Sequence, residues 1–179
     1  MPNVRALVAA TSLALLLPGC AALGPKHPVG NTAVPQPAKS VDLQRYLGRW
    51  YEVARYEQSF QKDCEAVTAD YSLRDDGKIK VVNTCRKPDG KVTDAVGKAK
   101  IVDPATGAKL KVSFFGPFFG DYWVLDRAED YSWAIVGEPS GRYLWILSRE
   151  AVPANRAALI ERVRVLGYDT APLVLTRQP

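Results

Sequence analysis

Between Trp50 and Arg149, apolar and polar residues alternate in short runs separated by turn formers. Val67, Ala69, Tyr71 and Leu73 fall on one side of an extended chain, and Thr68, Asp70 and Ser72 on the other. Leu110, Val112 and Phe114 oppose Lys109, Lys111 and Ser113 in the same way. A period of two marks a strand with one buried face. Eight such runs follow one another: Trp50 to Glu57, Ala66 to Arg74, Lys78 to Arg86, Val92 to Val102, Leu110 to Phe115, Tyr122 to Asp126, Ser132 to Gly137 and Tyr143 to Arg149. Asp75-Asp76-Gly77, Pro88-Asp89-Gly90 and similar clusters supply the turns. Connections this short join antiparallel neighbours, because a parallel crossover needs a dozen or more residues. The pattern therefore predicts an all-β fold, an eight-stranded antiparallel up-and-down barrel, with a Greek-key sandwich as the alternative.

Two runs break the alternation. Trp133 to Val136 and Tyr143 to Leu147 are apolar on both faces, and such strands need cover on the outside. Pro153 to Leu166 can provide it as a C-terminal helix packed outside the barrel. Leu159, Ile160, Val163 and Leu166 recur at helical spacing, Pro153 suits a first turn, and Gly167 suits the residue past the end. Leu144 and Ile146 are the expected contacts. Ala171 to Thr176 reads as a last short strand.

Residues 1–19 have a different logic. Arg5 precedes an apolar run from Ala6 to Leu17 that is too short to span a bilayer but suits a secretory signal peptide. Leu17-Pro18-Gly19-Cys20 resembles the bacterial lipobox, which implies cleavage before Cys20 and lipidation of its thiol and new amine. Ala21, in place of an Asp that would resemble an inner-membrane retention signal, favours the outer membrane. Residues 20–40 carry Pro25, Pro28, Pro35 and Pro37 and read as an extended, flexible tether, leaving 41–179 as the folded domain. His27, the single histidine, falls in that tether.

Charge adds little. The net +5 is spread among acidic residues with no basic run, so nucleic acid is not an expected partner. Of the three cysteines, Cys20 is taken by the lipidation site. Cys64 and Cys85 flank the hairpin of the second and third strands, whose open ends meet, so a disulfide is expected in an oxidising envelope. No metal or cofactor site is expected: two sulfurs without a histidine do not complete a zinc shell.

At this point the chain resembles the lipocalins. Gly48-Arg49-Trp50 matches their Gly-X-Trp element, Asp126 and Tyr131 bracket their second block, and Arg149 matches the arginine that packs on the tryptophan. The bacterial outer-membrane lipoproteins of that family are most similar, through Tyr46 to Glu52, Tyr71 to Gly77, Lys111 to Phe118 and Tyr143 to Arg149. The resemblance implies that Gly48, Trp50 and Arg149 close one end of the barrel. It also places Phe119 and Trp145 against ligand.

The wall around the barrel's interior is expected to be Tyr71, Val112, Phe114, Tyr122 and Trp145, with Phe118 and Phe119 at a rim loop. Tyr71, Val112, Phe114, Phe119, Tyr122 and Trp145 are the candidate ligand-binding residues for a fatty acid or lysophospholipid, and the membrane is the second expected partner, through the N-terminal lipid. A homodimer stays open. No catalytic residue is expected, since without a histidine in the body a Ser-His-Asp arrangement is excluded. Two alternatives to the carrier stand: a lipid-modifying enzyme using a carboxylate such as Glu52 or Asp70, and a structural envelope lipoprotein with a filled barrel.

Overall fold

The computed structural model describes residues 35–179; the leader, Cys20 and His27 lie outside them. The strands are β1 (Gly48–Tyr56), β2 (Ala66–Leu73), β3 (Ile79–Arg86), β4 (Val92–Ile101), β5 (Lys109–Ser113), β6 (Gly120–Arg127), β7 (Trp133–Gly137), β8 (Leu144–Ser148) and β9 (Leu173–Leu175). Each of β2 to β7 pairs antiparallel with the next, and β1 pairs with both β8 and β2, so the sheet closes on itself. Closure rules out the sandwich. The eight-stranded barrel is the expected one, with β9 added as an extra strand on β1.

β1 holds the closure by serving three partners along its length. Gly48 to Tyr51 pair with β2, Tyr51 to Arg55 with β8 across a bulge at Glu52/Ala54, and Ala54 to Tyr56 with β9. Where β1 and β2 part, the Gln178 amide donates to Glu52 O (2.8 Å) and Val67 O (2.9 Å), so the C-terminal tail bridges the gap.

Inside, Trp50, Ala69, Tyr71, Ile79, Val81, Leu110, Val124 and Leu147 belong to one apolar cluster. Outside, the helix α2 (Arg156–Val165) lays Leu159 and Val163 on Val53, Leu144 and Ile146. This is the cover that the doubly apolar strands require, with the two contacts expected from the sequence. The helix starts three residues later than Pro153. Arg156 N donates to Pro153 O (3.3 Å) in a turn, and the first full helical bond runs from Leu159 N to Asn155 O (3.1 Å). Leu73 also departs from expectation. It ends β2 at the β2–β3 turn, where the wall stops, and is 45% exposed.

Two elements escaped the sequence pattern. A one-turn helix, α1 (Leu43–Tyr46), enters the end of the barrel ahead of β1, and a turn of 3-10 helix spans Ser59–Gln61 between β1 and β2. In addition, residues 36–40, read from the sequence as part of the tether, run along the outer wall of β5 and β6. Lys109 Nζ donates to Gln36 Oε1 (2.9 Å), Ala38 N to Leu125 O (2.7 Å), and Arg127 Nε to Ser40 O (2.9 Å). Lys39 Nζ lies 3.7 Å from the buried carboxylate of Asp126, which also pairs with Arg162 of the helix. One buried charge thus gathers strap, strand and helix.

Candidate functional site

One end of the barrel is sealed. Trp50, fully buried, donates its indole N–H to Tyr46 O (2.8 Å), and the Arg149 guanidinium lies over its ring at 3.7 Å from the centroid. Arg149 also donates to Arg45 O (2.8 Å) and Leu47 O (2.9 Å), carbonyls left without helical partners at the end of α1, and to Arg49 O (2.7 Å) at the start of β1. Gly48 has φ +92°, and a Cβ there would lie 3.4 Å from the guanidinium. Glycine is the residue for that backbone. Gly48, Trp50 and Arg149 therefore come together as a plug.

The next layer up is a tyrosine bridge. The Tyr122 hydroxyl is 2.8 Å from that of Tyr46 and 2.8 Å from that of Tyr71. Burial pushes the Tyr71 phenol up to about 12 and holds Tyr46 and Tyr122 well above the usual phenol range, so all three are neutral donors and acceptors.

Above this floor the barrel encloses a cavity of about 1060 Å³ that opens at the other end. Tyr71, Val112, Phe114, Phe119, Tyr122 and Trp145, the six expected binding residues, all line it. Gly97 makes room for one of them: a Cβ at that position would come within 2.8 Å of the Phe114 ring. Phe60, Tyr143 and Trp145 form a stacked ladder from rim to interior, with successive ring centroids 6.2 and 6.0 Å apart.

Charged side chains gather around the entrance, and the polar groups deeper in the wall are mostly committed. Glu52, 2% exposed on an inward position of β1, accepts from Arg55 Nη1 (2.9 Å), Gln61 Nε2 (2.8 Å) and the Thr176 hydroxyl. Gln61 in turn accepts from the Trp145 indole N–H (2.8 Å), which fixes that ring against the 3-10 turn. Asp70 faces outward, gripped by both arms of Arg49 (2.9 and 3.1 Å). Asn83 lines the cavity with a buried Oδ1 that no protein group satisfies, a point where a ligand hydroxyl can bond. Among the described residues no three His, Cys, Asp or Glu side chains gather as metal ligands would.

Cys64 and Cys85 are joined by a disulfide at the mouth end, tying the 3-10 loop to β3. Phe60, Gln61 and Tyr143 were not among the expected site residues. Phe60 and Gln61 occupy a polar loop without periodicity, and Tyr143 has its signal only as a flank of the Trp145 strand.

A Lipocalin-like domain model matches residues 41–178, the whole barrel with its floor and tail. The chain is a lipocalin. Its relatives include the outer membrane lipoprotein Blc of Escherichia coli K12, 41% identical over 97% of this chain and 96% of that one. The Blc lipoprotein of Vibrio cholerae is 43% identical over 92% and 94%. Among solved structures, insecticyanin of the tobacco hornworm Manduca sexta shares the fold, with a TM-score of 0.65 at 21% identity, covering 82% of this chain and 85% of its own. In this lipocalin the closed floor and the bridged tyrosines form the base of a cavity that opens at the upper end of the barrel.

Proposed function

We propose that this lipocalin is held at the bacterial outer membrane by lipid on Cys20 and carries a single-chain amphiphile, a fatty acid or lysophospholipid, in its barrel. The observation that carries the reading is the cavity. At about 1060 Å³ it matches the upper end of small-molecule pockets, roughly 300–1,000 Å³, and its wall is mainly aliphatic and aromatic. Burying about ten methylenes there contributes roughly 8 kcal/mol gross. Subtracting about 4 kcal/mol lost on association leaves about 4 kcal/mol, millimolar binding, so the aromatic wall and the headgroup contacts supply the rest of a micromolar affinity. The names of the two Blc relatives support the membrane location, and the Leu17 to Cys20 tetrapeptide supports the attachment point.

The enzyme reading is weaker because its two candidate carboxylates have partners. Glu52 is enclosed by Arg55, Gln61 and Thr176, and Asp70 is paired outside the barrel. The structural reading requires a filled barrel, and the cavity argues against it.

Titration with lysophospholipid tests the proposal. Trp145 emission changes saturably, and replacing Trp145 with Leu weakens binding about tenfold, equivalent to about 1.4 kcal/mol. An emission unmoved by every acyl ligand, with nothing extractable from the purified protein by organic solvent, removes the carrier reading. Turnover of the added lipid revives the enzyme.

A further inference from the structure

The mouth bears a feature that an enclosed ligand does not account for. Phe60, Phe115 and Phe118 project from two loops on its rim, 66%, 82% and 78% exposed. Three large rings in water on one end of a small protein are an unfavourable arrangement unless something covers them. Lys62, Lys87 and Lys91 stand around the cavity entrance among Asp63, Asp94, Asp121 and Glu138, so charge there is mixed and the three rings are the dominant feature.

The path of the N-terminal strap says what covers them. It leaves the floor at Val41, where Val41 N donates to Thr106 O, and read toward the N-terminus it climbs the wall of β5 and β6 to Gln36 beside Lys109. The loop joining those two strands holds Phe115 and Phe118. From the level of Trp123, the residue paired with Lys109, β6 rises three more residues to Gly120 at the rim, about 10 Å. Fourteen residues lie between Cys20 and Pro35, and that length of chain reaches at most about 50 Å.

We infer that the rim is a membrane-docking surface: Phe60, Phe115 and Phe118 enter the interface of the bilayer that holds the lipid anchor, with Lys62, Lys87 and Lys91 on its anionic headgroups. Aromatic rings favour that depth, and basic side chains beside them add about 1 kcal/mol each near an anionic surface. The docked barrel opens straight onto lipid, so an acyl chain passes into the cavity along the Phe60–Tyr143–Trp145 ladder without crossing water. The inference rests on the proposed anchoring but not on the identity of the cargo.

The test uses the full chain, processed in a bacterial host and reconstituted into vesicles of phosphatidylethanolamine and phosphatidylglycerol doped with a phosphatidylcholine brominated on its acyl chains. Phe118→Trp places a reporter on the rim. Val152→Trp places one beyond the end of β8, on the floor side, at a position that is 66% exposed. Saturating unbrominated lysophospholipid keeps brominated lipid out of the cavity. F118W is quenched at least about twofold more than V152W, because interfacial groups lie about 5–10 Å into the headgroup region. Equal quenching of the two overturns the docking. Lysophospholipid titration of the same samples separates the two ideas: F118W quenching without saturable Trp145 binding leaves the docking and removes the carrier, and the reverse result removes the docking alone.

Discussion

The two ends of the barrel are made from the same kinds of residue put to opposite use. At the floor, Trp50 and Tyr46 are buried, and the carbonyls at the end of α1 are met by Arg149. At the mouth, Phe60, Phe115 and Phe118 are in the open, and the Asn83 Oδ1 below them is unmet. The floor shows aromatic area spent on stability, and the mouth shows the same area left free for a partner. Changes at the floor should therefore cost folding, and changes at the mouth should cost binding.

The largest effect is expected from Trp50→Ala. A fully buried indole that also receives Arg149 should cost about 3–5 kcal/mol in urea unfolding. A loss below 1 kcal/mol would break the contrast at once. Next comes the Cys64–Cys85 bond, the one covalent tie at the mouth end. Closing a separation of 21 residues suggests about 3 kcal/mol, so the Cys64→Ser, Cys85→Ser double variant should melt well below the parent. That mouth element works for stability, and it sharpens the rule: the contrast belongs to the exposed rings, not to everything at that end.

A smaller effect belongs to the tyrosine bridge. Tyr122→Phe strands two buried hydroxyls and should cost about 1–3 kcal/mol. The bridge also sets an alkaline limit. Its phenols are raised in the fold, so the protonated folded form is favoured. That contribution is complete below the unfolded value near pH 10. It disappears as pH rises through the folded value, about 12 for Tyr71, and the phenolate absorbance should appear only together with unfolding. The smallest effect is at the rim. Phe118→Ser should change stability by less than about 0.5 kcal/mol while lowering vesicle association.

What could be read in advance followed periodicity. Tyr71, Val112 and Phe114 lie on the inner face because alternation puts them there, and Leu144 and Ile146 meet the helix because their strand has no polar side. The plug helix was illegible: four residues are too short for a helical period, and Tyr46 is recognisable only once Arg149, 103 positions away, caps its carbonyl. The structural role of Glu52, named in the sequence only as a candidate acid or base, was illegible for a related reason. An inward carboxylate contradicts the pattern until Thr176, 124 positions on, and Gln61 supply its bonds. The strap was read as free tether because proline-rich composition reports the absence of helix, not the absence of contacts.

The strap also has a mechanical consequence. A pull on the chain upstream of Pro35 meets the Gln36, Ala38 and Val41 bonds before it reaches the barrel, and they lie in series from the wall of β5 and β6 down to the β4–β5 loop. Tension therefore opens them one after another, like a zip, releasing a few residues of slack at each step. The load that arrives at Asp126 and the plug is thereby limited, and a tug from the bilayer pays out chain before it deforms the cup.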